Sequence, residues 1–373
     1  MRIIAHIDMD AFFAAIEERE NPQYKGLGIV VGADPKGGSG RGVVSTANYQ
    51  ARKYGIHSAM PISIAWRLSE EARKRGEPKT VFLPVNGKYY GEVSERIFAI
   101  IRKYVPLVEQ TSVDEGYLDL TFAGSFEKAI EIINKLKEEI REKERLTAKI
   151  AIAPNKLVAK IVTSRAKPDS VSIIYPHFVH NFLDPLAVGD IPGIGPKTEE
   201  VLEKKGIRNV VELRGVAREQ LIEWFGKWGE GMYERARGID ESEVMVEREI
   251  KSISEQETFE VDTLSSAILL PKLEWLAQKV GVRMKSEGIR QFKTVTITVR
   301  FSDFTTKSRA HSLKEFTNDT DVIKKEAMKL FMPFLDKREN PQKKLIRLLG
   351  VGIEGFYNEK KKEVVSKQLD MLS

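Results

Sequence analysis

The residues of this chain best equipped for chemistry are two close sets of acids. Asp114 and Glu115 stand side by side in TSVDEGYLDL, residues 111–120, and Asp8 and Asp10 close the run RIIAHIDMD. An adjacent Asp-Glu pair is most often a solvated turn. The N-terminal set changes that reading, because residues 3–7 read as a short buried strand ending at the acids, followed by a helix carrying Phe12, Phe13 and Ile16. If that strand lies beside the Asp114 segment, three or four carboxylates converge, and like charges so close cannot all stay ionised without a cation among them. Hard oxygen donors without His or Cys suit Mg²⁺ or Mn²⁺, shared between few carboxylates and substrate phosphates. The chemistry to expect is metal-assisted phosphoryl or nucleotidyl transfer.

Composition bounds the class. A chain of 373 residues is long for one domain and long enough for three or four modest ones. Sixty Lys and Arg against 54 Asp and Glu leave a net charge of +6, a mild lean towards a polyanionic partner. With no cysteine, thiol catalysis, disulfides and thiolate metal sites are excluded, and the five histidines have no zinc spacing. No signal-peptide progression opens the chain and no apolar run reaches the ~18 residues a membrane span needs. An intracellular, cytoplasmic enzyme without a membrane partner is expected.

The elements that must position the acids follow in order. GIVVG, residues 28–32, is an apolar run, and the glycine-rich ADPKGGSGRG after it reads as a hairpin loop, since no Walker Gly-Lys-Ser/Thr ending follows. Residues 42–46 read as a strand and the next stretch as a helix with Tyr49, Arg52 and Lys53; a charge pair there is by default a solvated helix face. Residues 89–104 are helical, with Val93, Ile97, Ile100 and Ile101 on the apolar side, leading into a strand pair around Asp114. Ser125 caps a further helix, AKIAIA at 148–153 is a strand, and NKLVAKIVTSRAKP is a helix stopped by Pro168. From Asp190, DIPGIGPKTEEVLEKKGI reads as helix, tight Gly193-Ile194-Gly195 turn and helix, whose free amides suit a phosphate. Trp224, Phe225 and Trp228 are assigned to the core. In KTVTITVRF, residues 293–301, Val295, Ile297, Val299 and Phe301 alternate with Thr294, Thr296, Thr298 and Arg300. With flanking strands near 252–260, 308–313 and 345–353 and helices near 269–284 and 322–334, the order is β-α-β-β-α-β, the split βαβ signature.

IDMDAFFAAIE, STANYQARKYGI, SVDEGYLD, IAPNKLVAKIVTSRAKPD and DIPGIGPKT stand in the order and near the spacing found in Y-family translesion DNA polymerases of the DinB or DNA polymerase IV type, archaeal in kind. The resemblance spans residues 1 to about 355. It implies an α+β multidomain fold: a palm with a central β-sheet at 1–11 and 84–172, small fingers at 12–83, a helical thumb with a helix-hairpin-helix at 173–242, a linker at 243–251 and a split βαβ little finger at 252–355. It implies a monomeric, low-fidelity template-directed polymerase without a proofreading exonuclease, acting on primer-template DNA and dNTPs.

By the same resemblance, Asp8, Asp114, Glu115 and the backbone carbonyl of Met9 hold two Mg²⁺ ions, for which Mn²⁺ can substitute. Phe13 packs under the sugar and excludes a ribose 2′-hydroxyl; Thr46, Tyr49, Arg52 and Lys167 hold the triphosphate. Gly193, Gly195 and Lys197 in the thumb, and Arg300, Lys307 and Arg309 in the little finger, contact DNA phosphates. Gln368 and Met371 begin a sliding-clamp motif in the tail, residues 356–373, whose two aromatic residues are missing. Two other classes stay open on the residues alone. A nucleotide cyclase would use the same paired acids, and a noncatalytic DNA-binding protein the same thumb and little finger.

Overall fold

The structure, a computed structural model, describes residues 1–246 and 249–357. It divides into two units, Met1–Arg248 and Glu249–Ser373. The tail residues Gln368 and Met371 lie outside the described residues.

In the first unit, β1 (Ile4–Met9) is covered on both faces because it is the middle strand of five. It runs into α1 (Phe12–Glu20), which buries Phe12, Ala14 and Ile16. The chain then leaves that sheet to build another. This is made of β2 (Ile29–Gly32), β3 (Val44–Ala47), α2 (Tyr49–Lys53), α3 (Ile62–Lys74) and β4 (Val81–Leu83), with strand order β3-β2-β4. The glycine-rich stretch links the antiparallel β2 and β3. Return to the first sheet is through α4 (Gly87–Tyr104), followed by β5 (Leu107–Gln110), β6 (Glu115–Asp119), α5 (Phe126–Glu144), β7 (Ala148–Ala153), α6 (Lys156–Arg165) and β8 (Val171–Ile173).

The completed sheet has the order β5-β6-β1-β7-β8. Val93, Ile97 and Ile101 of α4 and Ile133, Leu136 and Ile140 of α5 pack on the face that carries Ala5, Ile7 and Met9. The opposite face, with Ala151 and Ala153, is covered by Leu157, Val158 and Ile161 of α6. Ser125 accepts from the Lys128 amide at the start of α5, and Asn155 does the same for Val158 in α6, so both helices begin on side-chain caps.

The rest of this unit is helical: α7 (Val179–Leu183), α8 (Pro196–Lys204), α9 (Val210–Gly215), α10 (Arg218–Phe225) and α11 (Lys227–Arg235). Here the structure corrects one expectation. The segment leading into the Gly193–Gly195 turn is a single 3₁₀ turn, Val188–Asp190, not a helix beginning at Asp190. Asp190 closes that turn by accepting from the Ala187 amide, which holds the chain in a tight bend.

The second unit is one antiparallel sheet backed by two helices. β9 (Ser252–Thr263), α12 (Ser266–Ser286), β10 (Phe292–Phe301), β11 (Thr306–Thr317), α13 (Thr320–Phe331) and β12 (Ile346–Glu354) give the strand order β11-β10-β12-β9. β12 lies between β9 and β10, so the β-α-β crossover is split as the pattern predicts. Val295, Ile297, Val299 and Phe301 are all buried under α12 and α13. Among the described residues no helix of either unit is long and apolar enough to cross a membrane.

Candidate active site

The register of the five-stranded sheet decides which acids meet. β1 and β6 are antiparallel, with Asp8 directly opposite Glu115 and His6 opposite Tyr117. Across an antiparallel pair, side chains in that relation have Cβ atoms only about 5 Å apart, and like charges there repel. Asp114 sits in the turn just before β6, where its carbonyl accepts from the Met9 amide at 2.9 Å. The adjacent Asp114 and Glu115 are thus brought, across more than a hundred residues, to Asp8 at one end of two neighbouring strands.

Two lysines lie against them. Lys160, from α6, pairs with Glu115, and Lys149, opposite Asp8 on β7, approaches it to 3.6 Å. Desolvation raises the Asp8 carboxyl above its usual range, Asp114 and Glu115 push the same way, and the two ammonium groups oppose the shift. Hard oxygen donors such as these suit a divalent cation. The side chains are nevertheless apart: Asp114 Oδ1 accepts from Ser112 at 2.5 Å, and among the described residues no three metal-ligating groups are drawn together at binding distance.

Asp10 departs from the expected fourth carboxylate. It is buried, and it accepts hydrogen bonds from the Tyr49 hydroxyl at 2.7 Å, the Thr147 hydroxyl at 2.8 Å and the Asp169 amide at 2.8 Å. With both oxygens so engaged it joins elements of the protein instead of turning to the other acids.

His6 is a neighbour that sequence reasoning missed. Its ring is fully buried, 3.8 Å from Glu115, and neither ring nitrogen has a hydrogen-bond partner. Burial first, then Lys160 and Lys149, holds its pKa well below 6.5, so it is a neutral neighbour of Glu115 and not its ion-pair partner. The alternation Ile4-His6-Asp8 was the available signal, since it sets His6 on the same strand face as Asp8.

The residues expected to hold the nucleotide all lie in the first unit. Phe13 stacks on Tyr90, while Phe12 is buried in the core, the place expected of it. Thr46 is opposite Val31 in the small sheet. The Arg52 guanidinium lies 5.0 Å from the Tyr49 ring centroid, tied by its Nε to the Ala47 carbonyl at 2.9 Å. Lys167 is exposed in the turn before β8.

Gly193 has φ +93°, a left-handed conformation that disfavours a side chain, and Gly195 caps α8 with Lys197 exposed in its first turn. Gly193, Lys156, Lys160, Arg235 and Trp228 line a cleft of about 640 Å³. Trp228 corrects the core assignment: it is 63% exposed, because α11 turns Gly229 and Met232 inward and leaves Trp228 facing the cleft. Trp224 and Phe225 pack against the core as expected.

Arg300, Lys307 and Arg309 do not share a face. Arg300 alternates with the core residues of β10 and lies on the open face, bonded to Thr306 Oγ1 at 2.9 Å. Lys307 and Arg309 are opposite Val299 and Ile297 on the helix side, and both pair with Glu339.

Known proteins are similar to this chain over most of its length. Residues 7–164 match the impB/mucB/samB family, residues 250–371 its C-terminal domain, and residues 189–240 the thumb domain described for DNA polymerase iota. A DNA polymerase IV of Methanosarcina mazei is 44% identical over 94% of this chain and 92% of its own length. The chain belongs to the Y family of DNA polymerases.

Other relatives agree. A DNA polymerase IV of Methanoculleus marisnigri is 43% identical over 94% of this chain and 93% of its own. One from Streptococcus suis is 38% identical over 95% and 96%. Among solved structures, a Y-family polymerase chimera of Dbh and Dpo4 matches with a TM-score of 0.84 at 29% identity, covering 95% of this chain and 99% of that one. An insertion ternary complex of Dbh DNA polymerase matches with a TM-score of 0.65 at 29% identity, over the same shares. This Y-family member is therefore a DNA-directed DNA polymerase of the low-fidelity translesion class, dependent on divalent metal as the family is. Neither the cyclase nor the noncatalytic reading draws support from these matches.

Proposed function

We propose that this polymerase extends the 3′ end of a primer on a DNA template, using dNTPs and two Mg²⁺ ions held by Asp8, Asp114, Glu115 and the Met9 carbonyl, with Mn²⁺ able to substitute. The observation that carries the assignment is the register that sets Asp8 opposite Glu115 while Asp114 bonds to Met9. When bound, the ions supply a lowered pKa at the primer hydroxyl and charge neutralisation at the phosphates. Glu115 and Asp8 exchange their contacts with Lys160 and Lys149 for that charge, and the two lysines stay nearby as fixed positive groups. No protein nucleophile is needed.

Residues 1–11 and 84–172 act as the palm, 12–83 as fingers, 173–242 as thumb, 243–251 as linker and 252–355 as little finger. Phe13 screens the sugar; Thr46, Tyr49, Arg52 and Lys167 frame the triphosphate. Gly193, Gly195 and Lys197 meet the DNA backbone, where a helix start offers free amides and does not read bases. Arg300 extends that contact from the second unit, with Lys307 and Arg309 contributing from the other side of their strand. The polymerase acts as a monomer in the cytoplasm at the nucleoid, and Gln368 and Met371 offer a reduced site to a sliding clamp.

Primer extension with Mg²⁺, dNTPs or rNTPs, on undamaged and abasic templates, tests the reading. Template-dependent dNTP addition past the abasic site supports it. Tight primer-template binding without extension would refute it.

A further inference from the structure

Asp10 has no assigned part in the reaction, yet it accepts three hydrogen bonds from three separate segments. Tyr49 opens α2 in the small-sheet layer, Thr147 precedes β7, and Asp169 lies in the turn before β8. A carboxylate 5% exposed would be costly without such bonds, so its burial and its partners explain each other. Its backbone is fixed too, the amide donating to the Thr147 carbonyl at 2.9 Å.

The partners lead to both cations of the triphosphate set. The single phenolic proton of Tyr49 is given to Asp10, which raises the phenol's pKa further above the ordinary value after desolvation has raised it. The ring is thereby fixed, and the Arg52 guanidinium lies over it at 5.0 Å. On the other side, the Asp169 amide ends on Asp10 Oδ2, two residues beyond Lys167. Asp169 is in the left-handed region at φ 53°, a conformation that a non-glycine residue keeps only when its surroundings hold it. Its own carboxylate is anchored by Lys137 at 2.9 Å and by Arg141.

We propose that Asp10 is a positioning residue that sets Arg52, through the Tyr49 ring, and Lys167, through the Asp169 turn, at one spacing before the dNTP arrives. A pocket built from two chain segments more than a hundred residues apart gains affinity by having that spacing fixed in advance. The proposal rests on the reading of Arg52 and Lys167 as triphosphate ligands.

The test measures the dissociation constant of the correct dNTP on a primer-template whose primer ends in a dideoxynucleotide, where no bond forms, alongside steady-state kcat and KM. Asp10→Asn keeps the volume but lacks the second acceptor oxygen, and Tyr49→Phe keeps the ring but not the hydroxyl. Each weakens dNTP binding about tenfold, as expected for removal of one charge-assisted bond, with a smaller change in kcat and an unchanged Mg²⁺ half-saturation. Combined with Arg52→Ala, Asp10→Asn adds less than its separate effect, because the two act on the same interaction.

If Asp10→Asn does not fold, judged by thermal unfolding, Thr147→Val decides the question, because it removes one hydroxyl from the same carboxylate and Thr147 is not among the groups that frame the triphosphate. Unchanged dNTP binding in the folded variant, while Arg52→Ala and Lys167→Ala weaken it, overturns the proposal and leaves the underlying reading intact. Unchanged binding in Arg52→Ala and Lys167→Ala overturns that reading itself. A fall in kcat with a shifted Mg²⁺ half-saturation and an unchanged dNTP constant makes Asp10 a metal ligand, and also overturns the proposal.

Discussion

Phe13 lies nearly flat against Tyr90, with ring centroids 4.4 Å apart and planes 19° from parallel. Tyr90 is 1% exposed and its hydroxyl donates to Glu17 at 2.7 Å, so the supporting ring is itself locked. The side chain proposed to exclude a ribose hydroxyl therefore has a rigid backing.

That stack predicts a graded loss of sugar selection. Phe13→Ala removes the screen, and the ratio of kcat/KM for dNTP over rNTP falls by about a hundredfold. Tyr90→Ala leaves Phe13 in place but free to tilt, and the ratio falls by about tenfold. Tyr90→Phe keeps the stack and holds the ratio near that of the parent. Single-nucleotide incorporation with each sugar measures all three.

Glu115→Ala abolishes extension, with kcat lower by at least about a thousandfold, because a carboxylate proposed to hold the reaction's divalent charge is removed. Primer-template affinity stays within a few-fold of the parent, measured by fluorescence anisotropy. Activity near the parent level would refute the assignment of Glu115.

Salt dependence separates the basic residues of the second unit. Arg300→Ala lowers the slope of log affinity against log salt by about 1, as expected when one cation no longer neutralises a DNA phosphate. Arg309→Ala lowers it less, since its guanidinium is already paired with Glu339. Equal slopes for the two variants would contradict the difference in placement.

Acid stability has a local source in Glu139. Lys143 first, then Tyr104 and Lys103, pull its carboxyl from 4.5 to about 2. A depressed carboxylate pKa contributes stability that is present above the unfolded value and disappears as pH falls through the folded one. Glu139→Gln therefore flattens the dependence of the melting temperature on pH between about 4.5 and about 2, followed by circular dichroism. An unchanged acid limb would refute this source.

What the residues alone determined is periodic or motif-borne. AKIAIA is strand β7 with the bounds expected, Ser125 caps α5, and the strict alternation of β10 puts Val295, Ile297, Val299 and Phe301 in the core. These are local properties: capping, alternation and apolar spacing are written in consecutive residues. The five motifs likewise pointed to the family, and the acids to metal chemistry.

Tertiary structure decided what depends on register and on partners remote in sequence. The sequence places Asp8 and Asp10 two residues apart, which makes them look alike. Pairing with β6 sets Asp8 against Glu115, whereas Tyr49, Thr147 and Asp169 draw Asp10 into a different role. Arg300 and Arg309 face opposite ways because β11 pairs with β10 in one register and no other, and a shift of one residue would exchange every face. Trp228 is exposed because the small Gly229 beside it takes the inward position, packed against the Leu221 backbone. Such outcomes follow from which distant residues meet, and no single stretch of sequence carries that information.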